Sequence, residues 1–466
     1  MDADGRILGG EIEFVIDGGA YATLSAVVLS RGTIHAGGPY HWPNVRIRAR
    51  AVATNVPPHG AFRGFGAPQS LFAMERHMDR IAQVVGVGAS EIRRRNFLRP
   101  GQTTTTQQKV SDEVNLEFLL DRALELSDYE TKKKRFSVAN VSCAKKHGMG
   151  IATFLHGAGF TGSGERYLDS VAGVEGCADG TVRVLVSSTE FGQGTNTVLC
   201  QIAAETLKIS YDSVAIAQPD TFAVPNSGPT VASRTVMVVG KLVHSAALGL
   251  RQTLVGAGLL RDGYSADEFR AACAEYVAGR GVLKSYARYQ VPKDVFWDDE
   301  KYRGEAYATY AWAVYVAEVS VDPATYSVAI EDFVALQEVG RVLHPILAEG
   351  QIVGGVAQAI GFALYEKVVW DAGRMRNNQM TNYIMPTSSD LPPIRVFFEE
   401  FGNPHGAYGA KGIGELPMDG PAPAILNAVE DACGVRCVTI PMLPEDFFAA
   451  MADGERDAAV LSGKTR

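Results

Sequence analysis

The sequence has few cysteines, no basic patch and no long apolar run, and each shortage excludes a class of protein. Six cysteines are spread over 466 residues, too sparse for a disulfide framework. Cys433 and Cys437 are the closest pair, and no second pair completes a zinc or iron–sulfur site. These thiols read as reduced, in a cytoplasmic protein. The formal net charge is −8. The one basic run, Lys132 to Arg135, reads as a solvated helix end, so nucleic acid is not an expected partner. No apolar stretch approaches the ~18 residues of a membrane span. The polar residues after Met1 do not read as a signal peptide.

What is present describes a globular chain: 46% hydrophobic and 21% charged residues, with 49 glycines. The length allows more than one core, and the glycines imply many turns or close backbone approaches. Alternation predicts strands at 7–16, 45–54, 148–154, 167–174, 182–186, 307–321 and 328–334. Helical spacing predicts helices at 68–84, 114–126, 199–207, 236–250 and 266–279, another after Pro345 and another from Pro421. A short helix at 90–96 is expected to take Ser90 as its N-cap. Residues 102–109 read as an exposed loop; after Pro441 the chain carries Phe447, Phe448 and Met451 and then turns polar and reads as fraying. The boundary between two domains is expected at 142–143, with a further division near 295. The opening turn followed at once by a strand suggests that something precedes it.

Four loops concentrate the chemistry. Gly60-Ala-Phe-Arg-Gly-Phe-Gly-Ala-Pro-Gln69 sets Arg63 among Phe62, Gly64 and Phe65. Rings and a guanidinium on a glycine loop can flank a flat polar ligand, or the rings can plug a core. Glu190-Phe-Gly-Gln-Gly-Thr-Asn-Thr197 ends a strand and opens a helix, a geometry that suits a phosphate or an amide. It lacks the lysine of a P-loop and the third glycine of a Rossmann fingerprint. Ser227 to Thr235 is a second donor-rich loop ahead of a helix. Gln351 and Gln358 share one face of a glycine-rich helix, either to bond a cofactor or to allow helix packing. Gly409-Ala-Lys-Gly-Ile-Gly-Glu415 frames one lysine and one carboxylate with three glycines, a tight turn or an anion loop.

The joint order of the stretches 60–69, 190–197, 351–358 and 409–415 resembles the molybdenum-binding subunit of the xanthine dehydrogenase (molybdenum hydroxylase) family over essentially the whole chain. The stretch 60–69 and the terminal Glu415 carry most of the specificity. The resemblance implies an α+β fold: two molybdopterin-binding domains of mixed sheets flanked by helices, with the cofactor between them. Residues 1–142 would be the C-terminal part of the first domain, and 143–466 the second. Glu415 would be the general base, taking the proton of a metal-bound hydroxide that then attacks an electron-poor carbon. Arg63 would stand near metal and substrate, and Phe65 would stack on a flat ring. Arg31 would steady negative charge on a purine-like heterocycle, or else cap a strand end. The cofactor would be held by Phe62, Gly64, Phe191, Gly192, Gln193, Gly194, Thr197, Val231, Ala232, Ser233, Gln351, Gly354 and Lys411. No side chain would ligate the molybdenum, which the pterin holds, its cytosine dinucleotide form included.

Two departures stand out. Leu416-Pro417 occupies a place where the family has two prolines. Nothing before residue 60 matches the family's glycine-rich N-terminal loop, so a second chain or a longer gene is expected to supply it. The 2Fe–2S clusters and FAD of the family are expected on partner subunits. Aldehyde oxidation, reduction of an aromatic thioester, and a non-catalytic assembly role are the alternatives to hydroxylation of an aza-aromatic ring.

Overall fold

The computed structural model describes residues 1–110 and 114–461. The chain opens with β1 (Gly10–Gly19), α1 (Ser25–His35) and β2 (Val45–Ala53), β1 and β2 pairing in parallel. Helices α2 (Ala67–Val85), α3 (Ala89–Asn96), α4 (Leu116–Leu126) and α5 (Tyr129–Ala139) follow. Next come β3 (Lys146–Ala158), the short α6 (Gly164–Leu168), β4 (Val171–Gly176), β5 (Val182–Leu185), α7 (Thr195–Leu207) and β6 (Val214–Ile216). A π-helical turn at Thr235–Val239 leads into α8 (Gly240–Gly256), then α9 (Ala266–Arg280) and β7 (Leu283–Arg288). The hairpin β8 (Trp297–Asp298) and β9 (Arg303–Gly304) precedes the long strands β10 (Thr309–Asp322) and β11 (Ser327–Glu338). The chain closes with α10 (Pro345–Leu364), β12 (Trp370–Asp371), β13 (Arg374–Met375), β14 (Ile394–Glu399), α11 (Pro421–Cys433) and α12 (Pro444–Leu461).

Two mixed four-stranded sheets organise the molecule, in the orders β14-β11-β10-β3 and β6-β5-β4-β7. The expected α+β class holds. Each sheet carries its own apolar cluster. The first cluster joins α2 and α4 to β3, β10, β11, α10 and α11, so the core runs across residue 142 instead of dividing there. The second joins residues 172–283, a lobe inserted between β3 and β10, to Ala407.

The contact between β3 and α11 sets the position of everything that follows. Residues of α11 are buried on nearly every face, as expected of a helix inside a core. A Cβ at Gly148 would lie 2.1 Å from Ala428 O, and one at Gly150 2.0 Å from Ala424 O. Backbone therefore lies on backbone, and the turn that enters α11 is fixed against the strand. From the other side, α3 and α2 are clamped to β3 by Arg93. Its fully buried guanidinium binds Glu75 at 2.8 Å, Asp79 at 2.6 Å and Ile151 O at 3.1 Å.

Several local expectations are corrected. Ser90 lies inside α3, whose N-cap is Gly88. Residues 164–168 form α6, so the strand expected at 167–174 starts only at Val171. The polar stretch 102–109 is partly interior: Gln108 is buried and donates to Tyr307 O at 2.7 Å. Lys132 is not a solvated helix end, since it reaches Glu318 at 2.6 Å and Asp332 at 3.3 Å. Phe447, one of the apolar residues noted after Pro441, is fully buried and anchors α12. Among the described residues one helix, α10, is long and apolar enough to cross a membrane by length and composition, with 44% of its apolar window buried.

Candidate active site

Three elements bring ionisable groups to one interior point. α1 turns Arg31 and His35 inward, β3 places His156 near its buried end, and the turn before α11 carries Glu415 and Asp419. His156 Nδ1 lies 2.7 Å from Asp419 Oδ2, and its Nε2 lies 3.2 Å from Glu415 Oε2. Arg31 Nη1 approaches His156 Nε2 to 2.6 Å, Gly157 O to 3.1 Å and Glu415 Oε2 to 3.3 Å, while Nη2 donates to Gly159 O at 2.6 Å. An arginine N–H can only donate, so Nε2 of the resting imidazole is the acceptor and Nδ1 carries the proton toward Asp419. Ser233 Oγ donates to Glu415 Oε2 at 3.1 Å.

These contacts decide the charges. Burial pushes the Glu415 carboxyl up, but Arg31, His156 and Ser233 outweigh it and hold it down at about 2. Burial raises Asp419 to about 6 against the pull of His156. Burial lowers His156, and Asp419 more than restores it. His35 is driven well below its ordinary value by burial, then by His156 and Arg31. It stays neutral, with Nδ1 bonded to Arg31 O and Nε2 accepting from Gly157 N.

Glu415 forms part of the wall of a 610 Å³ cavity. Arg63 stands beside it, donating to Gly414 O at 2.6 Å and to Gln351 O at 3.2 Å. Neutral carbonyls thus hold its guanidinium, and burial lowers its basicity. Phe65, Ala232 and Ser233 all take left-handed backbone conformations at φ 50°, 57° and 51°. Non-glycine residues pay for that geometry, and such strain gathers at functional sites. The loops at 233 and 412 touch so closely that a Cβ on Gly412 would lie 1.6 Å from Ser233 O.

Of the residues singled out from sequence, Arg63, Phe65, Phe191, Gly192, Gln193, Gly194, Val231, Ala232, Ser233, Gln351, Lys411 and Glu415 line this cavity, and so does Gln358. Phe62, Gly64, Thr197, Gly354 and Arg31 do not. Phe62 packs on the Phe362 ring at 5.3 Å. Gly64, at φ 96°, makes room for Asp419, whose Oδ1 a Cβ would meet at 3.1 Å. Three expectations about charge are corrected. Arg31 is buried and bonded to its own chain, so its guanidinium is not presented to the cavity. Lys411 lines the wall, but its ammonium is bound to buried Glu338 at 2.5 Å and to Tyr310 O at 3.0 Å. The amide donors at the start of α7 are taken by Glu190, which accepts from Gly192, Gly194 and Asn196 at 2.7, 3.1 and 3.0 Å. Gln193 is likewise engaged with Phe191 N, Thr189 O and Thr195 Oγ1.

Sequence reasoning did not single out His156, Asp419 or Arg341. A histidine within the apolar stretch Phe154-Leu-His was the one local signal for the first. Arg341 lines the cavity, is exposed, and has no carboxylate partner among the described residues.

A family profile described as a molybdopterin cofactor-binding domain matches residues 122–392, and a second of the same description matches 1–97. The chain is 30% identical to an aldehyde oxidoreductase of Megalodesulfovibrio gigas, over 96% of this chain and 48% of that protein. It is 30% identical to a putative xanthine dehydrogenase molybdenum-binding subunit of Escherichia coli, over 96% of this chain and 61% of that one. The crystal structure of the aldehyde oxidoreductase from Desulfovibrio desulfuricans superposes with a TM-score of 0.86 at 30% identity, covering 96% of this chain and 48% of that one. The chain thus spans about half to three fifths of the length of these relatives.

Proposed function

This chain belongs to the molybdopterin cofactor-binding family of the xanthine dehydrogenase type, and from that premise we propose that it forms the molybdenum site of a hydroxylase. The proposed reaction inserts oxygen from water at an electron-poor carbon of an aza-aromatic, purine-like compound. Electrons leave to iron–sulfur and flavin partners, and the complex works in the cytoplasm. The observation that carries this reading is the ionised Glu415 in the wall of a cavity, next to Arg63.

The residues present fit an anionic, flat cofactor. Bare backbone meets the cavity at Gly192, where a Cβ would have nothing within 4 Å, and at Gly414, where its nearest neighbour would be Ser233 Oγ at 3.7 Å. Gln351 and Gln358 add amides from one helix face, and Arg341 adds a cation that suits a phosphate. Ala232, Ser233 and Gln351 would hold the pterin. When bound, the molybdenum–molybdopterin supplies the two-electron oxidation. Glu415 accepts the proton released in the cavity, and Ser233 fixes the carboxylate in place. Arg63 contributes positive charge where negative charge develops, and Phe65 gives the substrate a flat apolar face.

Aldehyde oxidation is the second reading, and the engaged guanidinium of Arg31 favours it, because an aldehyde needs no cation to steady a ring oxygen. Molybdenum analysis and turnover of the purified complex test both readings. Hydroxylation of hypoxanthine or nicotinate without aldehyde oxidation supports the first, and the reverse supports the second. Absence of molybdenum from a folded, complete complex would reject both.

A further inference from the structure

Glu415 is well placed to take a proton but poorly placed to keep one. Its Oε2 already faces Arg31 Nη1 at 3.3 Å and Ser233 Oγ at 3.1 Å, and each favours the bare carboxylate. A proton arriving there needs an exit. The nearest basic lone pair is Nε2 of His156 at 3.2 Å, fully interior and on the side of Glu415 that faces β3. Behind it Asp419 accepts from Nδ1 at 2.7 Å, while its Oδ1 has no partner among the described residues. A buried carboxylate with one unused oxygen is costly. A positive imidazolium against it recovers part of that cost.

We propose that His156 is a positioning residue acting through Glu415, a second proton station to which Glu415 passes the proton it takes from the cavity. The inference rests on the reading of Glu415 as the base. In the transfer the Oε2–H bond of Glu415 breaks and an Nε2–H bond forms on His156, with no change in oxidation state. The carboxylate is regenerated, and the imidazolium lies between Asp419 and Glu415. Arg31 Nη1 releases Nε2 and keeps Gly157 O and Glu415, both already within reach.

The other groups facing His156 fit this role. From α1, Arg31 opposes a positive imidazole, while His35, with ring centroids 5.2 Å apart, stays neutral and adds no charge. Tyr307 and Tyr310, which pack on His35, are held in their neutral form by burial. Asp419 and Glu415 supply the two negative charges. Burial and Arg31 lower His156, Asp419 and Glu415 raise it, and the net direction is upward from 6.5.

The test uses the purified holo-complex with 13C at the histidine ring Cε1, followed by NMR and steady-state kinetics per molybdenum. His156→Gln identifies the His156 resonance by its loss. The wild-type imidazole is expected to gain its proton at higher pH than a free histidine does, and Asp419→Asn to move that titration to lower pH. His156→Gln should lower kcat by ~10²-fold with KM nearly unchanged, and should alter the acid limb of the pH–rate profile. A wild-type imidazole that gains its proton only at lower pH than a free histidine overturns the proposal, as does His156→Gln with wild-type kcat and pH profile. Loss of molybdenum with unchanged kcat per bound metal also overturns it, by showing a purely structural role. If His156→Gln does not fold, Asp419→Asn carries the same readings. Glu415→Gln separates the levels: wild-type turnover in that variant rejects the base assignment itself, whereas an inactive Glu415→Gln beside an unaffected His156→Gln rejects only the relay.

Discussion

Ser233 Oγ lies 3.0 Å from the amide nitrogen of Glu415 and 3.1 Å from Oε2 of the same residue. One hydroxyl therefore accepts from the backbone and donates to the carboxylate, which locks the side chain against its own main chain. Ser233 can do this because its φ of 51° turns the loop toward residue 415.

Ser233→Ala removes the neutral donor that helps hold Glu415 ionised. A hydrogen bond to a charged group contributes ~1.5–3 kcal/mol, so turnover should fall about 10-fold or more and the apparent pKa of Glu415 should rise. A pH–rate profile of the variant checks this, with the acid limb moving to higher pH.

The depressed Glu415 carboxyl also makes a stability prediction. Its ordinary value is 4.5 and its folded value about 2, so the native state favours the ionised form. That contribution is fully present above pH 4.5 and is lost as pH falls toward about 2. Urea midpoints of wild type and Glu415→Gln should therefore converge as pH is lowered through this window, with the wild type losing more.

Arg93 should be costly to truncate. Arg93→Ala would strand Glu75, whose side chain is fully buried, and Asp79. Breaking such a pair costs ~3–5 kcal/mol, read as a lower thermal midpoint. The double variant with Glu75→Gln should lose less than the single one, because no bare carboxylate remains at that position.

Gly412→Ala should act at the cavity. Its Cβ would overlap Ser233 O, so the two loops must separate. The expected result is reduced molybdenum content, with a stability loss of ~1–3 kcal/mol, as for other overpacked sites.

Arg341→Ala gives the opposite pattern. The residue is exposed and has no ion-pair partner among the described residues, so stability should stay within ~0.5 kcal/mol. Molybdenum retention should fall if the guanidinium holds an anionic cofactor. An unchanged metal content would remove Arg341 from that role.

The glycine-framed loops at 60–69 and 409–415, the paired amides of α10 and the long strands β10 and β11 were legible because each is local. Periodicity, glycine density and residue chemistry lie within a few turns of chain. By themselves they marked the loops around the cavity, with Glu415 and Arg63 among its polar residues, while the fold class came from the family resemblance that these loops carry jointly. Partner choice was not local. His156 meets Asp419 across 263 positions and Arg31 meets Glu415 across 384. Lys411 is consumed by Glu338, and Glu190 fills its own helix N-terminus. A charge finds its partner only when strands and helices are packed, because burial makes an unpaired ion too costly to leave alone. The tertiary structure alone therefore decided that Arg31 turns inward and that Glu415 has a histidine behind it.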